Sequence, residues 1–143
     1  MTDAHIAKVQ GRGLPISKKF AVEVCDFIRY KPLSKANALL TEVLEMKRAV
    51  PFRRYKKDQS HKPSVGPGRY PLKTSYYFIK LLHSLEKNAE QKGLNSEALV
   101  VSVAMANKGN TRMRQGRHRG QMKNTHVLLC AEERAEKKEK AKK

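Results

Sequence analysis

The sequence predicts an α+β fold: about three helices packed on a small antiparallel sheet, with a long basic β-hairpin as an extension. Three observations predict it. Apolar residues recur at helical spacing in three separate stretches. Two apolar runs rich in β-branched residues, Leu99 to Met105 and Thr125 to Ala131, read as strands. The segment between them, residues 106–124, holds six Lys/Arg, three Gly and no Asp or Glu. A segment that polar cannot bury itself, so it reads as a hairpin arm that a polyanion would order.

In chain order, Ser17 is placed to cap a first helix whose Phe20, Val24, Phe27 and Ile28 share one face, and Pro32 ends it. Ser34 is placed to cap a second helix carrying Leu39, Leu40, Val43 and Leu44 inward, with Pro51 closing it. The strongest pattern comes third. Tyr77, Phe78, Leu81, Leu82, Leu85 and Ala89 follow the i, i+4, i+8 rhythm, and Gly93 stands where a C′ glycine ends a helix, which predicts a helix over 74–92. Residues 47–73 carry nine Lys/Arg and one acid, Asp58, among Pro63, Gly66, Pro67, Gly68 and Pro71, and are read as irregular. Residues 132–143 mix four Glu with six Lys/Arg and otherwise only Ala. With no apolar face they read as a flexible charged tail.

The charge balance is the main constraint on function. The chain carries 31 Lys+Arg against 13 Asp+Glu, a formal charge of +18 over 143 residues and a pI near 10.2. A field this positive implies a polyanionic partner, nucleic acid or an anionic membrane surface. The membrane is the weaker option, because no apolar run approaches the ~18 residues of a spanning helix and residues 1–10 lack the apolar stretch of a signal peptide. A chain that stays soluble where it is made is expected. Its 39% hydrophobic content fills one core, so residues 1–143 are read as a single domain. Cys25 and Cys130 lie in apolar patterns suited to reduced, buried thiols in a reducing compartment.

Within 47–73, Phe52, Tyr55 and Tyr70 are interleaved with Arg53, Arg54, Lys56, Lys57 and Arg69. Guanidinium groups pair with phosphates while rings stack on exposed bases, so this mixture suits RNA. Phe52 and Tyr70 read equally well as core anchors. Further candidate RNA-binding cations are Lys18, Lys19 and Lys73 on the body. The arm adds Lys108, Arg112 and Arg114, then Arg117, His118, Arg119 and Lys123.

No catalytic set is visible. Glu23 with Asp26, and Glu86 with Glu90, have the spacing of ordinary solvated helix faces. The five histidines, His5, His61, His83, His118 and His126, lack the spacing of a zinc site, so no metal is assigned. No phosphate-cradling glycine loop is followed by Lys-Ser/Thr, and no cofactor is expected. Gly109, Gly116 and Gly120 read as places where an arm bends or its backbone approaches a ligand.

Five blocks occur in a telling order: Ile16-Ser17-Lys18-Lys19, Val50-Pro51-Phe52-Arg53-Arg54-Tyr55, Gly68-Arg69-Tyr70-Pro71-Leu72-Lys73, Asn88-Ala89-Glu90-Gln91-Lys92-Gly93-Leu94 and Thr125-His126-Val127. Together they resemble the universal large-subunit ribosomal protein family numbered twenty-two, seventeen in eukaryotic nomenclature, from about Gly11 to Glu132. The Pro-Phe-Arg-Arg-Tyr and Gly-Arg-Tyr-Pro blocks resemble its archaeal and eukaryotic branch.

The resemblance implies a structural constituent of the large subunit that binds large-subunit rRNA. Residues 106–124 match the family's hairpin, which lines the nascent-peptide exit tunnel. It also implies, as partners, neighbouring large-subunit ribosomal proteins near the tunnel exit and the nascent chain, and as location the ribosome of the cytoplasm, with nucleolar assembly in a eukaryote. Family arms usually carry an Arg-x-x-Gly-Arg element and several more residues, to which Arg114-Gln115-Gly116-Arg117 and Arg117-His118-Arg119-Gly120 are near matches.

The alternative is an architectural nucleic-acid-binding protein outside the ribosome. Duplex readers usually present a cationic recognition helix or a wedge-bearing ribbon, and the helix predicted over 74–92 is not notably cationic. A nuclease or RNA-modifying enzyme would need clustered carboxylates or a cofactor loop, which the sequence does not offer.

Overall fold

The computed structural model describes residues 5–117 and 119–134. Its elements run β1 (Ile6–Leu14), α1 (Lys18–Ile28), α2 (Leu33–Leu44), β2 (Val50–Pro51), β3 (His61–Lys62), β4 (Gly66–Arg69), α3 (Leu72–Gln91), β5 (Leu99–Lys108) and β6 (Thr125–Glu133). The main sheet is antiparallel in the order β1-β6-β5, and the three helices cover one face of it, α1 on β5 and α3 on β1. This is the α+β architecture the sequence predicts.

Helix α3 follows its pattern closely. Phe78, Leu82, Leu85 and Ala89 are fully buried, and the helix ends in the glycine motif expected of Gly93. Gly93 has φ +72°, its N–H donates to the Glu90 carbonyl, and the N–H of Leu94 reaches back to the Ala89 carbonyl at 3.0 Å. In the strand pair, β5 and β6 each run two or three residues beyond the apolar runs. Buried positions in β5 are Leu99 and Val101, then Ala104 and Ala106. The alternation slips because Ser102 is an extra residue: Val101 pairs with Ala131 and Val103 with Cys130.

Several local expectations are corrected. The residue flanking the start of α2 is Pro32, not Ser34; the Pro32 carbonyl accepts from Ala36 N–H at 2.9 Å, while Ser34 lies inside the helix and exposed. Ser17 does flank α1, but its side chain makes no capping bond. Pro51 does not close α2. That helix stops at Leu44 because Met46 adopts a left-handed φ of +58°, and Pro51 belongs to β2. The region 47–73 is not wholly irregular, since β2, β4 and β3 form a second, three-stranded antiparallel sheet. Its strands are two to four residues long and contain Pro and Gly, so alternation had no room to appear. Glu132 and Glu133, read as tail, pair with Ile6 and Leu99 in the main sheet. The rest of that expected tail, residues 135–143, lies outside the described residues.

Strand β1 was not anticipated. Its inward positions are Ala7, Val9 and Gly11, small side chains that leave room for α3 to approach. A Cβ built on Gly11 would stand 3.1 Å from the Leu81 methyls and 3.0 Å from Leu14 Cδ1. Cys25 and Cys130 are both buried and unpaired, and burial pushes the Cys25 thiol up to about 12.

Two expectations follow from this packing. Gly11→Val overfills the β1–α3 contact and should lower stability by about 1–3 kcal/mol in urea unfolding, with Gly11→Ala well below that. Cys25 should resist a thiol reagent in mildly alkaline buffer until the chain is unfolded, because the thiolate is the reacting species.

Candidate nucleic-acid interface

The basic loop after β2 is held by one buried acid. Glu23 lies on α1, is 2% exposed, and its carboxylate accepts backbone N–H bonds from Arg53 at 3.0 Å, Arg54 at 3.0 Å and Tyr55 at 2.6 Å. The earlier reading of Glu23 as part of a solvated face is therefore wrong. The signal was present, because Glu23 borders the apolar stripe, three residues after Phe20 and four before Phe27, whereas Asp26, further round the helix, is exposed and pairs with Arg29 at 3.1 Å. Phe52 resolves as a core anchor, 1% exposed and edge-to-face with Phe20 at 5.2 Å. With the backbone clamped by carboxylate and ring, the Arg53 and Arg54 side chains extend into solvent. The Arg54 guanidinium lies 5.5 Å from the half-buried Tyr55 ring, and Lys56 Nζ lies 5.4 Å from the Phe20 ring. Lys57 is exposed beside them.

Phe20 joins this loop to a groove. Two adjoining hollows, of about 420 and 300 Å³, run between the root of the arm and the first turns of α1 and α3. Lys18 and Lys19 enter from α1, Lys73 and Thr74 from α3, and Lys108, Arg114 and Lys123 from the arm. Neither helix carries an acid in its first turn, and neither has a side-chain cap. The groove lining contains no carboxylate.

The arm grows directly out of β5 and β6. Beyond the last ladder pair, Lys108 with Thr125, the Gly109 N–H donates to the Asn124 carbonyl at 2.9 Å. Further out, Met122 N–H donates to Arg112, Arg114 N–H to Gly120, and Met113 bridges Gln121, so the two legs stay paired with a register moved by one residue. The chain turns at Gly116, with φ +110°. The root is braced: Asn124 Nδ2 donates to the Asn110 carbonyl at 2.7 Å, Gly13 N–H donates to His126 Nδ1, and Thr125 Oγ1 donates to the Ile16 carbonyl at 2.8 Å. A Cβ on Gly109 would stand 2.8 Å from both Asn124 and His126 side-chain atoms, so a larger residue here would displace the groups that brace the root. Arg112, Arg117 and Arg119 are exposed along the arm. His118 lies outside the described residues.

Two candidates stand apart. Arg69 is exposed on β4, opposite Val50. Tyr70 lines a separate hollow with Glu42, Glu45 and Lys62, whose Nζ lies 5.8 Å from its ring, and it is not brought to the loop of Arg53 or to the groove. None of the sequence-predicted cations that the structure describes, from Lys18 to Lys123, is paired with a carboxylate among the described residues; carboxylates pair instead with Arg29, Arg48, Lys47, His83 and Lys87. Burial, with Lys35 and Arg53 next to it, pulls the Lys31 ammonium below the usual lysine range. No group of three His, Cys, Asp or Glu among the described residues is placed to hold a metal.

A small α+β body with a cationic loop, a carboxylate-free groove and an acid-free basic hairpin arm defines a class: a structural protein built against a polyanion. The chain belongs to the ribosomal protein L22p/L17e family, whose profile matches residues 9–128. It is 49% identical over 110 residues to the large ribosomal subunit protein uL22 of Archaeoglobus fulgidus, covering 75% of this chain and 71% of that protein. It is 47% identical over 104 residues to uL22 of Thermofilum pendens, covering 72% and 69%, and 44% identical over 107 residues to uL22 of Thermoplasma acidophilum, covering 75% and 71%. The family is structural and non-enzymatic, and these relatives agree with the archaeal side of the branch that the sequence blocks resemble.

Glu23 should be the most sensitive acid in the chain. Glu23→Ala leaves three loop amides without their acceptor and should cost about 3 kcal/mol in urea unfolding, while Glu23→Gln, which keeps one acceptor oxygen, should cost less. In native-state hydrogen exchange the amides of residues 53–55 should lose protection in both variants before those of α3 do.

Proposed function

We propose that this protein is a structural constituent of the large ribosomal subunit that binds large-subunit rRNA and lines the nascent-peptide exit tunnel with its arm. The observation that carries the reading is the unpaired state of the cations. Arg53, Arg54, Lys56 and Lys57 on the loop, Lys18, Lys19 and Lys73 at the helix ends, and Arg69 on β4 face solvent without a carboxylate among the described residues, and so do the arm's Lys108, Arg112, Arg114, Arg117, Arg119 and Lys123. Such charge is stabilised by phosphate, and Tyr55 beside Arg54 adds a ring on which a base can stack. His118 on the arm, and Tyr70 apart from both loop and groove, complete the proposed RNA contacts.

The reading divides labour between the two parts. The body docks on rRNA through loop and groove, while the arm crosses a layer of RNA; each leg has about nine residues at ~3.3 Å, which places the tip about 30 Å from the sheet. Neighbouring ribosomal proteins near the tunnel exit, and the nascent chain inside it, are the proposed protein partners. No helix among the described residues is long and apolar enough to cross a membrane.

Occupancy in gradient-purified large subunits tests this. Replacing Arg53, Arg54 and Arg69 together by Ala should reduce incorporation, whereas deleting residues 112–119 should leave the body folded and incorporated with an altered tunnel wall. The opposite ranking would reverse the assignment of roles. Free protein that neutralises ~6–10 phosphates should lose about three to five orders of magnitude in RNA affinity between ~50 and ~200 mM salt, and a flat response would exclude phosphate-driven docking.

A further inference from the structure

We propose that the open face of the main sheet is a docking surface for a protein partner, which lays an amphipathic helix with apolar and basic side chains along β5 and β6. That the partner is a neighbouring protein of the large subunit rests on the ribosomal reading; the surface itself rests on geometry.

The helices cover one face of the sheet, and among the described residues no element lies on the other. Leu99, Val101 and Ala104 of β5, with Val127, Leu129 and Ala131 of β6, are fully buried against the helices, so their alternating neighbours point out. Those neighbours are not the polar set that a solvated face usually carries. The register sets Val103 beside Cys130 and Met105 beside Leu128, with Val100 further along β5, which makes one apolar strip across two strands. Met105 is 46% exposed there. From Val100 to Met105 the strip runs about 17 Å at ~3.3 Å per residue, the length of about three helical turns.

The edges of the sheet favour a helix on its face over an added strand. On β1, the Ile6 and Lys8 carbonyls accept from Lys92 Nζ at 2.8 Å and Asn88 Nδ2 at 2.9 Å. On β5, the Val101 carbonyl accepts from Tyr30 N–H at 2.8 Å, its N–H donates to the Lys31 carbonyl at 3.0 Å, and the Ala104 carbonyl accepts from Arg29 Nη2 at 2.7 Å. Main-chain groups that an incoming strand would pair with are thus taken at both edges.

Charge decides the class of partner. The strip ends at a hollow of about 280 Å³ lined by Tyr30, Val100, Ser102, Glu132, Glu133 and Arg134. Glu132 and Glu133 have no ion pair among the described residues. Tyr30 is 72% exposed, on a backbone fixed to β5. A lysine or arginine seated in this hollow meets two carboxylates and an aromatic ring. Lys8 and Arg12 stand on β1, across β6 from β5, so the basic side chains of the partner belong at the Tyr30 end. RNA is the wrong occupant, since its phosphates would meet the carboxylates and its sugars the apolar strip. A second copy is disfavoured because it brings another +18 of charge.

Two measurements test this. The first titrates isotope-labelled full chain, at near-physiological salt, with a synthetic amphipathic helix of Leu, Ala and Lys, and with the same helix carrying Glu for Lys. Amide shifts from the Lys helix should fall on Val103, Met105, Leu128, Glu132 and Glu133, and the Glu helix should leave these unmoved. Met105→Lys, and Glu132→Gln combined with Glu133→Gln, should each raise Kd about tenfold. Shifts absent from the strip, equal shifts from both helices, or variants that bind like wild type would overturn the docking surface. So would shifts that appear only after residues 135–143 are removed, since the chain's own tail would then be the occupant. The second measurement puts a photo-crosslinking amino acid in place of Met105 in assembled large subunits. A bond to a protein helix bearing Lys or Arg supports the proposal; bonds to rRNA alone, or none, overturn it and leave the ribosomal reading standing. A chain that binds the Lys helix in solution and never enters large subunits keeps the surface and removes that reading.

Discussion

The carboxylate of Glu23 is the interaction on which the interface depends. Among the described residues the other acids are exposed or half-buried, where their ion pairs are worth little. Glu23 is instead sealed against the core and satisfied by three consecutive loop amides. It converts a run of four cations, which would otherwise repel one another into an extended coil, into a fixed turn with its side chains outward. The Phe20–Phe52 contact beside it supplies the apolar half of the same clamp, worth about 0.5–1.5 kcal/mol beyond area burial. Helix α1 thus serves the loop on one side and the sheet on the other.

Among the described residues the cations are kept out of the core, and the loop, the helix ends and the arm carry dense groups of them. The buried set is almost entirely apolar, with Glu23, Thr74, Ser75 and Thr125 as the polar exceptions. Three of these four sit where the body meets the basic surface: Glu23 under the loop, Thr74 in the groove, and Thr125 at the arm root, where its hydroxyl holds the Ile16 carbonyl. Polar burial in this fold marks the seams between scaffold and interface.

What could be read from the sequence followed from periodicity and terminators. Helix α3 was legible because its 3.6-residue rhythm runs for five turns and ends in Gly93-Leu94, and β5 and β6 because their short, mostly apolar runs contain β-branched residues and flank the basic arm. Strand β1 was not, since its inward face is Ala7, Val9 and Gly11, of which only Val9 is a large apolar side chain. The left-handed Met46 that stops α2 and the extra Ser102 that shifts β5 are conformations without a residue signature. The candidate cations were each identifiable as basic residues in acid-poor surroundings. Their assembly was not, because the groove draws on residues 16–20, 73–74 and 108–125, and only the close passage of α1 and α3 beside the arm root brings these together. Tyr70 and Arg69 show the converse: nearness in sequence to the residues of the loop did not place either of them with it.

The arm's returning leg continues as β6, which is the central strand of the main sheet and is bonded along both edges. Hydrogen bonds in such a sheet run across the strand direction. A force applied along the arm therefore loads the β1–β6 and β6–β5 bonds in shear, many at once, instead of peeling them singly from one end. An appendage hung from an edge strand alone would load one ladder in place of two. Seating the arm on the middle strand makes the body its mechanical anchor.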